Sequence, residues 1–152
     1  MIDILREHEL NLALEAFHFA FRTLVEGPDE TLRREGLGRA HHRVLYFLAR
    51  RPGLGVGPLA ARLRVSRQAL HAPLRRLIAG GWVETGRDDE DGRTRALRLT
   101  RKGAALEARI SGVQRRQLDT VFRKVGPAAE KGWSAVMAGV MGGPSRQPLG
   151  GF

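Results

Sequence analysis

The sequence predicts a mainly α protein with one small β-hairpin (α+β), and three observations carry that prediction. Apolar residues recur at intervals of three and four along most of the 152-residue chain. Strand-like alternation appears once, between about residues 82 and 99. Gly and Pro pairs (Gly27-Pro28, Pro52-Gly53, Gly80-Gly81, Gly126-Pro127) punctuate the helical stretches. A chain of this length holds one domain, or one domain with dimerising extensions.

Taken in order, residues 3–25 read as a helix with Leu10, Leu14, Phe17, Phe21 and Leu24 on one face, stopped by Gly27-Pro28. Phe17, Phe19 and Phe21 carry apolar character almost around this helix, which suggests a partner chain. A short helix is expected over 29–35. Another spans 38–50, with His41, Val44, Leu45 and Leu48 on one face, and ends at Arg51-Pro52-Gly53. Leu54-Gly55-Val56 reads as a short extended link. Pro58 suits the first turn of the next helix, which runs toward Val65.

Ser66 is placed to cap a helix reaching about Ala79, with Leu70, Leu74, Leu77 and Ile78 inward and Gly80-Gly81 as its stop. Trp82–Thr85 and Thr94–Leu99 pair as a hairpin around the charged turn Asp88-Asp89-Glu90-Asp91-Gly92. Thr100 caps a long helix over 101–125, marked by Leu106, Ile110, Val113, Val121, Phe122 and Val125. Gly126-Pro127 breaks it, and a last helix follows to about 141 through Trp133, Val136, Met137 and Val140. Residues 142–152 are expected to be a flexible tail.

Charge points to a partner. The formal net charge is +10. From Gly36 to Val83 the chain carries Arg39, Arg43, Arg50, Arg51, Arg62, Arg64, Arg67, Arg75 and Arg76 with no Asp or Glu, whereas the stretch before Gly36 is acidic. A folded, acid-free basic segment repels itself, and phosphate backbone is its commonest counterpart. The absence of cysteine excludes disulfides and thiolate metal sites. No H-x-x-x-H pair supports a metal site, and none is expected; no cofactor is expected either. Gly53–Gly57 lacks the Lys-Ser/Thr of a phosphate-cradling loop, and no catalytic constellation stands out, so an enzyme is not expected. Without a signal peptide or membrane span, the expected location is the cytoplasm, at the nucleoid through DNA.

Two short helices around a tight turn, then a hairpin, make a winged helix-turn-helix. The blocks are LAARLRV, VSRQALHAPLRRLIAGG and WVETGRDDEDGRTRALRLT. The second helix opens with Ser66, Arg67, Gln68 and Ala69, small and polar side chains suited to base edges in a major groove. Leu59 and Leu63 buttress it from the first. The hairpin offers Arg87, Arg93 and Arg95 to a minor groove, whose narrow walls concentrate negative potential.

These residues resemble the MarR family of bacterial transcriptional regulators over roughly residues 5–140. Asp91-Gly92-Arg93, followed by Leu97-Arg98-Leu99-Thr100-Arg101-Lys102-Gly103, is similar to the family's D-x-R and L-T-x-x-G patterns, and Leu59, Ala60 and Leu63 to its L-A-x-x-L block. The resemblance implies a homodimer joined through its terminal helices (1–35 and 101–141) around a DNA-binding lobe (36–100). It also implies a pseudo-palindromic double-stranded operator, a wing arginine at Arg93 and a supporting acid at Asp91. Family members often release DNA when a phenolic or other lipophilic anion fills a cavity, for which Phe17, Phe21, His41 and Tyr46 are the candidates. Pro73, inside the recognition helix, departs from the pattern and is expected to bend it.

Arg67 is a candidate for guanine and Gln68 for adenine, with phosphate contact or plain solvent exposure the alternative for both. Arg75 and Arg76 suit phosphate or a solvated helix face. His71 is placed to meet base or phosphate. Arg62 and Arg64 suit phosphate or ion pairs with the acidic first helix. The rival readings are a winged-helix module that binds protein and a nonspecific nucleic-acid binder.

Overall fold

The computed structural model describes residues 3–87 and 95–142. Its elements follow the expected order: α1 (Ile4–Arg34), α2 (Arg39–Arg50), α3 (Val56–Leu63), α4 (Arg67–Ala79), β1 (Val83–Arg87), β2 (Arg95–Leu99), α5 (Arg101–Val125) and α6 (Pro127–Val140). The chain divides after Gln114 into two compact units. Among the described residues, no helix is long and apolar enough to cross a membrane. The turn at 88–92, with Asp91, and Arg93 lie outside the described residues, as does the tail from 143 onward.

The first unit has a single core. Leu32 of α1, Val44, Leu45 and Leu48 of α2, and Leu59 of α3 meet Leu70, Leu74 and Leu77 of α4. Trp82, Val83 and Leu97 of the hairpin region and Leu106 and Ile110 of α5 close it. The three- and four-residue spacing places these side chains on one stripe of each helix, and each buried Leu or Ile is worth about 1.5–3 kcal/mol. Ile78 was expected inward but is 40% exposed. At 100° per residue it lies about 80° round from Leu70, at the rim of a stripe that Leu74 and Leu77 already fill.

The first helix does not stop at Gly27-Pro28. One helix runs from Ile4 to Arg34 with Pro28 inside it, absorbing the short helix expected over 29–35. Proline lacks the N–H that would bond the carbonyl four residues back, here Leu24. The Gln114 side chain from α5 donates its amide to that carbonyl at 3.1 Å. A tertiary donor thus replaces the missing helical one, and local sequence could not disclose it. α4 likewise runs unbroken through Pro73.

The extended link expected at 54–56 holds at Leu54 and Gly55 and gains a partner strand. Leu54 forms a bridge to Leu97: Leu97 N donates to Leu54 O, and Gly53 N donates to Leu97 O, both at 2.9 Å. Val56 already opens α3. β2 is therefore paired on both edges near Leu97, with β1 antiparallel on the other side in the register Val83↔Leu99 and Arg87↔Arg95.

α4 ends as its glycines require. Gly81 takes φ +76°, Gly81 N donates to Ile78 O, and Trp82 N donates to Leu77 O, the paired bonds of a Schellman stop. The turn into α5 is built on it. Thr100 Oγ1 donates to Gly81 O at 2.5 Å and accepts from Gly103 N at 3.1 Å, capping α5 as expected. Lys102 Nζ donates to Gly80 O at 2.7 Å. A Cβ on Gly103 would stand 1.9 Å from Trp82 O, so only glycine lets α5 approach that backbone.

In the second unit, Gly126 (φ +90°) and Pro127 turn α5 into α6, and Phe122 meets Trp133 edge-on with ring centres 5.3 Å apart. α6 buries no residue, and Val121 and Val125, expected on the apolar side of their helix, are exposed along with Val136 and Val140.

Candidate nucleic-acid interface

α3 and α4 are joined by a turn of three residues. Arg64 adopts the left-handed conformation (φ 53°) that closes α3, and Ser66 caps α4 by accepting from Ala69 N at 3.1 Å. Capping satisfies a backbone N–H that the first helical turn would leave without a partner. The next side chains project outward: Arg67, Gln68, Ala69, His71 and Arg75 are all exposed. Underneath, Leu70 and Leu74 lock the helix to the core, with Leu59 of α3 fully buried beside them. A short polar helix end held on a rigid apolar base can reach the edges of base pairs without rearranging.

The nine arginines divide by what they touch. Arg39 leaves the basic surface to form a bidentate pair with Asp29 of α1, the shortest contact 2.7 Å, and this guanidinium holds the Asp29 carboxyl below its usual range. Arg50 turns inward to Glu107 of α5 at 2.8 Å. Arg76 donates to Glu35 O at 3.2 Å and stacks over Trp82 at 5.1 Å, which Lys102 covers at 4.1 Å. Arg76 is thus engaged at the carboxyl end of α1. Arg43, Arg64, Arg67 and Arg75 remain exposed. Among the described residues, no ion pair ties Arg62 or Arg64 to α1, although α1 was one of their two expected partners.

On the wing, Arg95 is exposed at the start of β2, opposite Arg87 at the end of β1. Arg98, which no sequence motif singles out, is an exposed β2 residue whose guanidinium a Cβ on Gly53 would approach to 3.5 Å. It lies within the L-R-L-T run, but a lone arginine in a strand carries no signal of its own. The wing's base was also unseen: Trp82, Thr100, Lys102 and Gly103 together brace it on α4 and α5. The threonine and glycine of L-T-x-x-G were the visible trace.

The four candidate effector residues lie on two helices, Phe17 and Phe21 on α1 and His41 and Tyr46 on α2. Phe17 and Phe21 lie exposed on α1, and Arg39 covers the Phe21 ring at 5.5 Å. His41 accepts from Gly38 N at 2.9 Å through Nδ1; burial, with Arg76 nearby, pushes its imidazole below the ordinary value. Tyr46 lies under the Arg50 guanidinium at 3.5 Å. A groove of about 360 Å³ between α1 and α2 is lined instead by Phe19, Arg22, Thr23, Glu26, Asp29, Arg33 and Arg39.

A sequence model described as MarR family matches residues 35–94, the stretch from the end of α1 into the wing. The chain is 40% identical over 137 residues to the HTH-type transcriptional regulator PetP of Rhodobacter capsulatus, an alignment covering 90% of this chain and 82% of that protein. The chain belongs to the MarR family. It is a DNA-binding transcriptional regulator, not an enzyme. Its fold is that of a solved MarR family transcription regulator, with TM-score 0.73, 22% identity and 89% of each chain covered. A mutant of S. aureus MepR solved with a bound oligodeoxyribonucleotide has the same fold, with TM-score 0.59, 16% identity, and 85% of this chain and 95% of that one covered.

Proposed function

We propose that this MarR-family regulator is a homodimeric repressor of a pseudo-palindromic operator, reading it with the amino-terminal end of α4 in the major groove and the wing in the flanking minor groove. The observation that carries the reading is the exposed run Arg67, Gln68, Ala69 and His71, capped by Ser66 and set in a chain segment, Gly36 to Val83, that holds no acidic residue. Arg67 and Gln68 match the donor and acceptor patterns of guanine and adenine, while Arg75 and the wing residues Arg87, Arg93 and Arg95 supply phosphate or groove contacts, with Asp91 supporting Arg93. Arg76 adds less, because Glu35 and Trp82 hold it. The DNA complex of the MepR mutant supports this use of the fold.

Dimerisation through residues 1–35 and 101–141 accounts for apolar side chains that the single chain leaves in water. On α1 these include Leu12, Leu14, Phe19 and Phe21, and on α6 Trp133, Val136 and Val140. Exposed apolar area of this extent marks an interface. Two lobes then meet successive major grooves about 34–36 Å apart. A small lipophilic or phenolic anion that favours a different spacing of the lobes releases the operator, because a ligand shifts an equilibrium by its differential affinity for the two states.

The test is selection of bound sequences from a random duplex library, with affinity followed against salt. An enriched inverted repeat, with half-sites one or two helical turns apart and a steep salt slope, is the expected result. Salt-sensitive binding without a motif would reduce the protein to a nonspecific binder, and tight protein complexes without duplex binding would leave an interaction module.

A further inference from the structure

Gly57 belongs to the first turn of α3 and is the last residue of the Gly53–Gly57 stretch, which is not a phosphate-cradling loop. Its backbone lies directly beneath the Arg67 side chain. A Cβ built on Gly57 would stand 2.6 Å from Arg67 Nη2, 3.1 Å from Cζ and 3.2 Å from Nε. Three atoms of one guanidinium within that range mean that the planar group lies across the bare Cα of Gly57. Any other residue at 57 would occupy the space the guanidinium fills. Gly57 has no positive φ, so nothing in the backbone there calls for glycine. The feature of the site that does call for it is the arginine.

We infer that Gly57 is a positioning residue for Arg67: the missing side chain gives the guanidinium a shelf on α3 and fixes the direction from which it meets DNA. This rests on the reading that Arg67 contacts DNA. An exposed arginine on a free helix end samples many rotamers and must order on binding. One laid against a neighbouring helix is already partly ordered, and less is lost when its bonds to guanine or phosphate form. A side chain at position 57 moves the far end of Arg67 only, so the fold tolerates it, and alanine there favours the helix.

The experiment uses the full-length protein and the duplex recovered from the library selection. Operator and random-duplex affinities are measured for Gly57→Ala, Arg67→Ala and the double variant, together with thermal midpoints and the Arg67 Nε–H resonance. Arg67→Ala is expected to weaken operator binding roughly tenfold. Gly57→Ala is expected to lose a several-fold part of the same affinity, shift the Arg67 Nε–H resonance, keep or raise the midpoint, and add nothing in the Arg67→Ala background. Equal losses from Gly57→Ala with and without Arg67 would overturn the inference, since position 57 would then act on DNA by itself. Full operator affinity in Gly57→Ala beside a weakened Arg67→Ala would overturn it while leaving the DNA-contact reading intact. An Arg67→Ala variant that binds like wild type would overturn both.

Discussion

Arg50, Glu107, His42 and Ser111, in the seam between α2 and α5, use their polar groups on one another. Arg67, Gln68 and His71, at the start of α4, leave theirs to solvent. In the seam, Arg50 bonds Glu107 and the Tyr46 carbonyl at 2.8 and 2.9 Å, and His42 Nε2 lies 3.2 Å from Ser111 Oγ. The Glu107 side chain is only 7% exposed. Buried charge must find its partner inside the protein, whereas an exposed helix end can wait for one outside it. Residue type does not separate the two regions, since both hold an arginine and a histidine. What differs is the surrounding apolar shell, and it divides polar groups that hold the lobe together from those left open to solvent.

The most disruptive test of that division is Glu107→Ala. It strands Arg50 in a largely buried site, and the expected loss is about 3–5 kcal/mol of unfolding free energy in urea titration. Replacing both partners with apolar residues, Arg50→Met with Glu107→Leu, is expected to recover most of it. A double variant as unstable as the single one would mean that the pair contributes more than mutual neutralisation. Gly103→Ala comes next. Its methyl group meets the Trp82 carbonyl at 1.9 Å, and a backbone atom cannot swing aside as a side chain can. The expected cost is about 1–3 kcal/mol, with weaker operator binding because the wing's brace moves. An unchanged midpoint would show that α5 has slack there.

The exposed region answers to a different measurement. Gln68→Ala is expected to leave the urea midpoint within about 0.5 kcal/mol of wild type, because the side chain is exposed. Its effect should fall on sequence preference, worth about 1–3 kcal/mol at the base pair it reads. Equal loss on operator and random duplex would assign Gln68 to phosphate rather than to a base.

The same contrast explains what could be read without a structure. Ser66, Thr100 and Gly80-Gly81 cap or stop helices within a few residues of themselves, and all three do what their positions announced, although Thr100 also bonds Gly81 across the turn. The stripe Leu70, Leu74 and Leu77 was legible because period alone fixes it; Ile78 failed at the rim, where packing decides. Pro28 misled because the donor that replaces its missing N–H, Gln114, stands 90 residues from the Leu24 carbonyl it serves. Arg39, Arg50 and Arg76 belong to the acid-free run of the sequence, yet each turns to a partner on α1, on its C-cap Glu35 or on α5. Local chemistry marked the capped, exposed start of α4, and long-range contacts decided which arginines turn away from solvent.

The Gln114 bond can be separated by a double-mutant cycle. Gln114→Leu leaves the Leu24 carbonyl without its donor, at an expected cost of about 1 kcal/mol. In a Pro28→Ala background the backbone N–H of residue 28 can bond that carbonyl itself. Gln114→Leu should then cost less, although Pro28→Ala loses the packing of a buried ring. Equal costs in the two backgrounds would mean that Gln114 matters for packing rather than for the proline's missing bond.

The smallest expected effect concerns pH. Burial pushes the His42 imidazole below its ordinary value; Glu107 opposes the shift and Arg50 adds to it. A histidine whose folded pKa lies below its unfolded value, about 6.5, binds protons more readily when unfolded. Its contribution to stability is therefore whole above that value and shrinks as pH falls toward the folded pKa. His41 shifts the same way, while the Asp29–Arg39 pair acts only lower, where carboxylates protonate. Urea midpoints at pH 7.5, 6.5 and 5.5 should fall with acidity in the wild type and fall less steeply in His42→Gln, with the His41 share remaining. Parallel slopes would show that His42 gains its proton as easily in the seam as in water, and the α2–α5 seam would then be wetter than its packing implies.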